Sequence, residues 1–142
     1  MPYKYLEDVS LADIAFQASG ETIEEMFVSA AEALFRVMVK LEDVRQKVKK
    51  EVRLEGDKHD TLLYDFLSEL LFIKDTETVV FSKFQISIKK EGKKLLLKAT
   101  MSGEKVDPKR MEMGDDVKAI TMHEFFVKQI GKKWVSQVTV DI

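Results

Sequence analysis

The stretch of sequence that decides the fold is residues 14–38, which read IAFQASGETIEEMFVSAAEALFRVM. Its first five residues alternate large side chains with small or polar ones and are followed by Ser19-Gly20, which predicts a short strand and a turn. Beyond the turn, Thr22 and Glu25 have capping-box spacing, and apolar residues recur at three- and four-residue steps. The stretch therefore predicts a strand that leads directly into an amphipathic helix ending near Lys40.

A second helix is predicted after Asp60. Its apolar stripe is wider than a solvent-facing helix would carry, which makes it the central helix of the fold. The stripe consists of Leu62, Leu63, Phe66, Leu67, Leu70, Leu71 and Ile73.

The remaining apolar patterns predict strands. Between residues 48 and 54 the apolar side chains occupy even-numbered positions, which predicts a strand that ends at a turn at Gly56-Asp57. A hairpin turn at residues 91–93 separates two further strand patterns. The five later predicted strands are residues 81–89, 95–101, 117–121, 125–128 and 134–142. We expect a two-layer α+β domain over residues 1–142, with two helices packed on a largely antiparallel sheet of about six strands.

Composition excludes several classes of protein and site. The 142 residues are 45% hydrophobic, 34% charged and 9% aromatic, which is typical of a folded globular chain. Cysteine is absent and only two histidines are present, so a disulfide framework or a thiolate zinc site is excluded and any metal would have oxygen ligands. No glycine-rich phosphate loop and no nucleophile-elbow serine occur, and His123 is interpreted as structural, so we predict no catalytic residue.

Charge is unevenly distributed along the chain. Residues 1–71 hold 9 Lys and Arg against 15 Asp and Glu, a formal −6, whereas residues 72–142 carry a formal +4. Neither half has a concentrated basic tail, which argues against RNA binding by the chain alone and leaves only a folded basic patch open.

Location and source are also suggested by composition. No apolar run is long enough to span a membrane and the first residues lead straight into charges, so we expect a cytoplasmic protein. Asparagine is absent, and Lys and Glu supply 19 of 23 basic and 14 of 25 acidic residues, which predicts a thermophilic source.

Acidic residues mark two places that strand pairing could bring together. Glu7, Asp8 and Asp13 lie at or before the start of the first predicted strand, and Asp141 lies near the end of the last one, followed by the carboxylate of Ile142. If these two strands pair, Asp13 would complete an oxygen-rich site for a hard cation such as Ca²⁺ or Mg²⁺. The alternative is that they are solvated acids at strand ends, and spacing alone favours that alternative.

A set of short motifs runs along nearly the whole chain. They are Tyr5-Leu6-Glu7, Ala12-Asp13-Ile14, residues 20–27, 30–31, 33–35, 62–67, 69–71 and 81–84, Gly103-Glu104, Asp107-Pro108, residues 117–121 with His123, and residues 138–142. Together these motifs resemble those of the archease family, small accessory proteins of tRNA splicing. Two positions depart from the family pattern: Asp8 replaces a usual histidine, and Met122 stands where a tyrosine is common.

The resemblance implies an accessory role rather than an enzymatic one. Archeases assist the GTP-dependent RNA ligase that joins tRNA exon halves through a 3′-phosphate or 2′,3′-cyclic phosphate end, and they promote its guanylylation and multiple turnover. The resemblance also implies a divalent metal site, for Ca²⁺ or Mg²⁺, formed by Asp13 and Asp141 with an oxygen of Ile142. The expected partner is the tRNA-splicing RNA ligase, with tRNA contacted only indirectly or weakly.

Two other classes of function stay open from the residues. One is a chaperone-like adaptor of a tRNA-modifying enzyme such as a tRNA methyltransferase, with a lysine-rich hairpin as its contact. That hairpin carries Lys89, Lys90, Lys93 and Lys94. The other is a metal-dependent hydrolase, which would turn over a phosphoester without any partner.

Overall fold

The structure, a computed structural model, describes residues 2–7 and 12–142, and within them it confirms the α+β class. Two α-helices and seven strands make up these residues, together with a short 3-10 helix at Leu41–Asp43. The helices are α1 (Ile23–Met38) and α2 (His59–Glu77). The strands are β1 (Tyr3–Tyr5), β2 (Asp13–Gly20), β3 (Val48–Gly56), β4 (Val79–Glu91), β5 (Lys94–Lys105), β6 (Ala119–Ile130) and β7 (Lys133–Asp141).

The strands form two antiparallel sheets rather than the single sheet that we expected. One sheet has the order β1-β2-β7-β6 and the other β3-β5-β4. The strands predicted at residues 117–121 and 125–128 are parts of one strand, β6, whose register with β7 shifts between Thr121 and Phe126. Glu124, inside that shift, has a left-handed φ of 50°, which explains why the strand pattern breaks there.

The first helix begins as the sequence predicts. The Thr22 hydroxyl accepts a hydrogen bond from the backbone N–H of Glu25 at 3.1 Å, and the Glu25 carboxylate accepts from the N–H of Thr22 at 3.3 Å. A Cβ at Gly20 would lie 2.5 Å from the nitrogen of Met26, so the turn between β2 and α1 requires glycine. The helix ends at Met38, before an extended Val39.

The second helix is the main core element, as its wide apolar stripe predicts. Its buried residues are Leu62, Leu63, Phe66, Leu67, Leu70, Leu71 and Ile73. They join buried side chains of α1 and of both sheets in a common hydrophobic cluster. Phe72 on the opposite side of the helix is 61% exposed. Among the described residues, neither helix is long and apolar enough to cross a membrane.

The two central strands of the four-stranded sheet are β2 and β7. Their inner face is buried, with Phe16, Val138 and Val140 each 0% exposed. Because side chains alternate across a strand, the neighbouring residues Asp13 and Asp141 project from the opposite, outer face.

Candidate metal centre

Asp13 and Asp141 lie directly opposite each other. Asp13 is the first residue of β2, Asp141 is the last residue of β7, and their Cα atoms are partners in the antiparallel register. The condition under which the sequence predicts an oxygen-rich site, pairing of these two strands, is therefore met. Directly opposed residues of antiparallel strands place their Cβ atoms about 4.5–5.5 Å apart on one face. Both residues are half-buried, so two carboxylates share a partly desolvated position.

Backbone hydrogen bonds fix the chain on both sides of this pair. The N–H of Ile142 donates to the carbonyl oxygen of Ala12 at 2.9 Å, and the N–H of Lys118 donates to the carbonyl oxygen of Asp141 at 2.7 Å. Ile142 therefore follows β7 alongside β2, next to Asp13. The fold brings Asp13, Asp141 and Ile142 into one small region, while metal binding by them stays a prediction.

The outer face beyond the acidic pair carries mostly polar side chains, with Lys4 of β1 beside Gln17. Along β7, Thr139 and Gln137 share the face of Asp141, as alternation along the last strand predicts. The side-chain amide of Gln17 donates a hydrogen bond to the side-chain oxygen of Gln137 at 2.9 Å, across the two strands. The acidic pair thus concentrates negative charge at one end of a polar ladder.

A cleft of about 480 Å³ opens beside Asp13. A further acidic residue, Asp115, lines it, because the N–H of Asp115 donates to the carbonyl oxygen of Val37 at 2.9 Å and ties its loop to the end of α1. Sequence reasoning did not single out Asp115. The only local signal was the pair of acids after Gly114, and its place beside β2 depends on a loop contact that no local pattern predicts.

One cation, Arg36, also lines this cleft, but its charge is already engaged. The guanidinium donates to both carboxylate oxygens of Glu42, at 3.0 and 2.6 Å, and to the Tyr3 hydroxyl at 2.7 Å. The same contacts raise the pKa of Arg36 and lower that of Glu42. Arg36 is therefore held by Glu42 rather than directed at the acidic pair.

Two other residues considered from the sequence do not join the pair. Asp8 lies outside the described residues. His123 is exposed in β6, and its backbone N–H donates to the Thr121 hydroxyl at 3.3 Å. The β6 residue that faces Asp141 is Ala119, which lies four positions, or about 13 Å, along the strand from His123.

The donor chemistry of the region fits a hard cation. Within residues 2–7 and 12–142, no three Asp, Glu, His or Cys side chains gather closely enough to hold a metal ion. Asp13 and Asp141 would thus be the side-chain ligands, and main-chain oxygens or water would complete the shell. Ca²⁺ accepts such mixed oxygen shells, and Mg²⁺ commonly uses one or two carboxylates with several waters.

Comparisons with known proteins point to one family. The model of the Archease protein family (MTH1598/TM1083) matches residues 3–142. Protein archease of Pyrococcus abyssi is 42% identical over 132 residues, which cover 92% of this chain and 93% of that protein. Protein archease of Methanosarcina mazei is 40% identical over 141 residues, covering 99% and 95%.

Two solved structures have a fold similar to that of this chain. The solution structure of Methanobacterium thermoautotrophicum protein 1598 superimposes with a TM-score of 0.89 at 35% identity, and covers 99% of both chains. The crystal structure of a Thermotoga maritima archease, described as a possible chaperone, has a TM-score of 0.61 at 20% identity over 94% of this chain and 93% of that one. At that identity the second likeness concerns the fold alone.

Proposed function

The chain belongs to the archease family, and from this premise we propose that it is an accessory protein of tRNA splicing in the cytoplasm. In this proposal it activates the GTP-dependent RNA ligase that joins 3′-phosphate or 2′,3′-cyclic phosphate ends. It does so by promoting guanylylation of the ligase and multiple turnover. The chemistry belongs to the ligase, and this chain contributes no catalytic residue.

The observation that carries the proposal is the direct pairing of Asp13 with Asp141. Like charges directly opposed across two strands repel each other, and a bound cation would offset that repulsion. The backbone of Ile142 lies beside them through its hydrogen bond to Ala12. We therefore propose that Asp13, Asp141 and an oxygen of Ile142 bind Ca²⁺, with Mg²⁺ as the alternative ion.

Guanylylation explains why such a site would help a ligase. A ligase histidine attacks the α-phosphate of GTP, and negative charge on the phosphates must be stabilised as the leaving group departs. The two carboxylates of Asp13 and Asp141 would balance the charge of a divalent cation, and its remaining coordination positions could accept anionic oxygens of a partner. Gln17 and Gln137, about 13 Å further along the two strands, add no negative charge to this face.

Activation also requires a preference between two states of the ligase. A protein that bound the resting and the guanylylation-competent ligase equally well would shift nothing. The site of Asp13 and Asp141 therefore needs to bind the guanylylation-competent ligase more tightly than the resting ligase. Substoichiometric activation follows if the accessory protein leaves after each guanylylation.

The test is a guanylylation time course. The ligase of the same organism is incubated with radiolabelled GTP, with and without substoichiometric amounts of this protein. We expect faster accumulation of ligase-GMP and more than one ligation per ligase molecule. Asp13→Asn should abolish the stimulation, whereas Asp57→Asn, at an exposed turn aspartate, should retain it. Full stimulation by Asp13→Asn would contradict the proposed role of the acidic pair.

A chaperone-like role toward a tRNA-modifying enzyme, such as a tRNA methyltransferase, is the second candidate. Its contact would be the lysine-rich hairpin, whose Lys89, Lys90, Lys93 and Lys94 are all exposed. In this role the protein would suppress aggregation of the methyltransferase without affecting any ligase. Light scattering of the heated methyltransferase distinguishes the two roles, since less aggregation with the wild type than with Lys90→Glu/Lys93→Glu would support the chaperone-like one.

A further inference from the structure

The outer face of the β3-β5-β4 sheet is rich in positive charge. Strand register and alternation place Val52, Ala99 and Ile86 in one row on the inner side, so the rows on either side of it point outward. The basic residues on this outward side, which we call the basic face, are Lys49, Arg53, Lys83, Lys89, Lys94 and Lys98. All six are exposed.

Acidic residues on the same side compensate only part of this charge. Glu51 forms ion pairs with Arg53 at 2.8 Å and with Lys98 at 3.7 Å, and Glu55 lies 3.5 Å from Lys94. A third acid, Glu91, lies at the hairpin end, so the face carries a formal +3 on a chain whose net charge is −2.

Three lysines of the basic face form no ion pair within the part of the chain that the structure describes. They are Lys49, Lys83 and Lys89. Lys49 and Lys83 flank Ser102 from the two neighbouring strands, which puts their Cα atoms about 10 Å apart. Lys89 lies six residues, or about 20 Å, further along β4. An array of this length matches an extended polyanion better than a single phosphate group.

The centre of the face has features that suit a nucleic-acid strand. A groove of about 420 Å³ passes Leu96 and is bordered by Arg53, Lys98 and Lys89, with Glu55 as the one acidic residue of its lining. Between the charged positions stand neutral hydrogen-bonding side chains, namely Ser87, Gln85 and Thr100. Phosphate oxygens accept hydrogen bonds from such groups as well as from lysine and arginine, and Leu96 offers an apolar surface to a ribose or base.

We propose that the basic face binds the sugar–phosphate backbone of single-stranded RNA. This inference goes beyond the proposed ligase activation and does not depend on it. The face has no aromatic side chain for base stacking, so the binding is independent of base sequence and comes from phosphate neutralisation. If three phosphates are neutralised, the affinity for RNA should fall about 20-fold between about 50 and 200 mM salt.

The test is fluorescence anisotropy with the full-length protein and a 5′-labelled single-stranded RNA of mixed sequence, at both salt concentrations. The variant Lys49→Glu/Lys83→Glu/Lys89→Glu should weaken binding at least about tenfold at the lower salt and flatten the salt dependence. The neutral variant Lys49→Gln/Lys83→Gln/Lys89→Gln removes the same charges without adding repulsion. It keeps the test valid if the glutamate variant does not fold.

The matched control is Lys4→Glu/Lys109→Glu/Lys132→Glu. These lysines are also exposed and lie outside the basic face, so the control makes the same change in net charge. It should bind RNA within about threefold of wild type, because nonspecific charge alone has only a weak effect at a distance. Equal loss in the control and in the test variant would overturn the proposal, and so would absence of RNA binding by the wild type at the lower salt.

A labelled acidic peptide of matched length and charge distinguishes RNA from an acidic protein surface. We expect the peptide to bind at least about tenfold more weakly than the RNA, because it has no ribose hydroxyls or bases to contact Leu96 and the neutral side chains between the lysines. Peptide binding as tight as RNA binding, with the same loss in the lysine variants, would reassign the face to a protein partner and overturn the RNA proposal.

Discussion

Asp13 and Asp141 are direct partners across β2 and β7, although they lie far apart in the sequence. Neither carboxylate can meet the other until the two central strands of the sheet have paired. The pair is therefore a product of the folded state, and its charge repulsion is a cost that binding of a cation would relieve.

The first prediction concerns cation binding. Isothermal calorimetry with Ca²⁺ and with Mg²⁺ should detect a site in the wild type that Asp141→Ala abolishes, since one of two side-chain ligands is lost. Asp57→Ala should bind as the wild type does, because Asp57 is exposed in a turn outside the sheet. Equal affinity in the wild type and in Asp141→Ala would exclude Asp141 as a ligand.

The second prediction separates metal binding from folding. Asp13→Ala should leave the metal-free protein folded, because Asp13 lies at the start of β2 and outside the hydrophobic cluster. Saturating cation should stabilise the wild type by about 2.7 kcal/mol at a hundredfold excess over Kd, and should not stabilise the variant. Thermal melts with and without chelator measure both effects. A variant that is still stabilised by the cation would place the ligands elsewhere.

Local sequence patterns predicted most elements correctly, but not how the strands divide into sheets. The capping box at Thr22 and Glu25 and the apolar stripe of α2 depend on neighbouring residues, so they are visible in the sequence. The division into two sheets depends on long-range pairing, which periodicity does not encode. The strand Tyr3–Tyr5 is too short to show alternation, and it exists because it pairs with β2.

The candidate site, too, was predictable from local sequence patterns only in part. Alternation predicted that Asp141 shares a face with Gln137 and Thr139, but only pairing of β2 with β7 brings Asp13 opposite it. Spacing alone favoured solvated acids, and the metal assignment came from the family resemblance. The lysines of the basic face are also scattered in the sequence, between residues 49 and 98, and strand register collects them on one surface.

The third prediction tests the core. Leu67 is 0% exposed in α2, so Leu67→Ala should lower the free energy of unfolding by about 2–5 kcal/mol through lost burial and the cavity left behind. Phe72 on the same helix is 61% exposed, so Phe72→Ala should change the free energy of unfolding by less than about 1 kcal/mol. Denaturant titration of both variants gives the comparison. Similar losses at the two positions would mean that α2 does not bury the face described above.

The last prediction concerns the buried carboxylate of Glu104, which is 6% exposed in β5. Its Oε1 accepts a hydrogen bond from the backbone N–H of Arg45 at 2.8 Å and forms an ion pair with the Arg110 guanidinium. Arg110 also donates to the carbonyl oxygen of Asp43 at 2.9 Å. The carboxylate thus joins β5 to the segment after the 3-10 helix and to the loop that carries Arg110.

These contacts make stability depend on pH. Burial acts to raise the pKa of Glu104, but the hydrogen bond from Arg45 and the contact with Arg110 outweigh it and hold that pKa below its ordinary value. A carboxyl group whose pKa is lower in the folded state stabilises the fold above its unfolded pKa of about 4.3, and the contribution disappears as pH falls through the lower folded value. Glu104→Gln keeps the size of the side chain and removes the titration.

We therefore expect Glu104→Gln to lower the free energy of unfolding by about 1–3 kcal/mol at pH 7, because the charged hydrogen bonds are lost in a buried position. The deficit should stay constant down to about pH 5 and shrink at lower pH, where the wild-type carboxylate becomes protonated. Urea titrations at stepwise pH measure it, with Glu112→Gln as the control at an exposed glutamate of the neighbouring loop. A deficit that does not shrink on acidification would mean that the ionised form of Glu104 does not stabilise the fold.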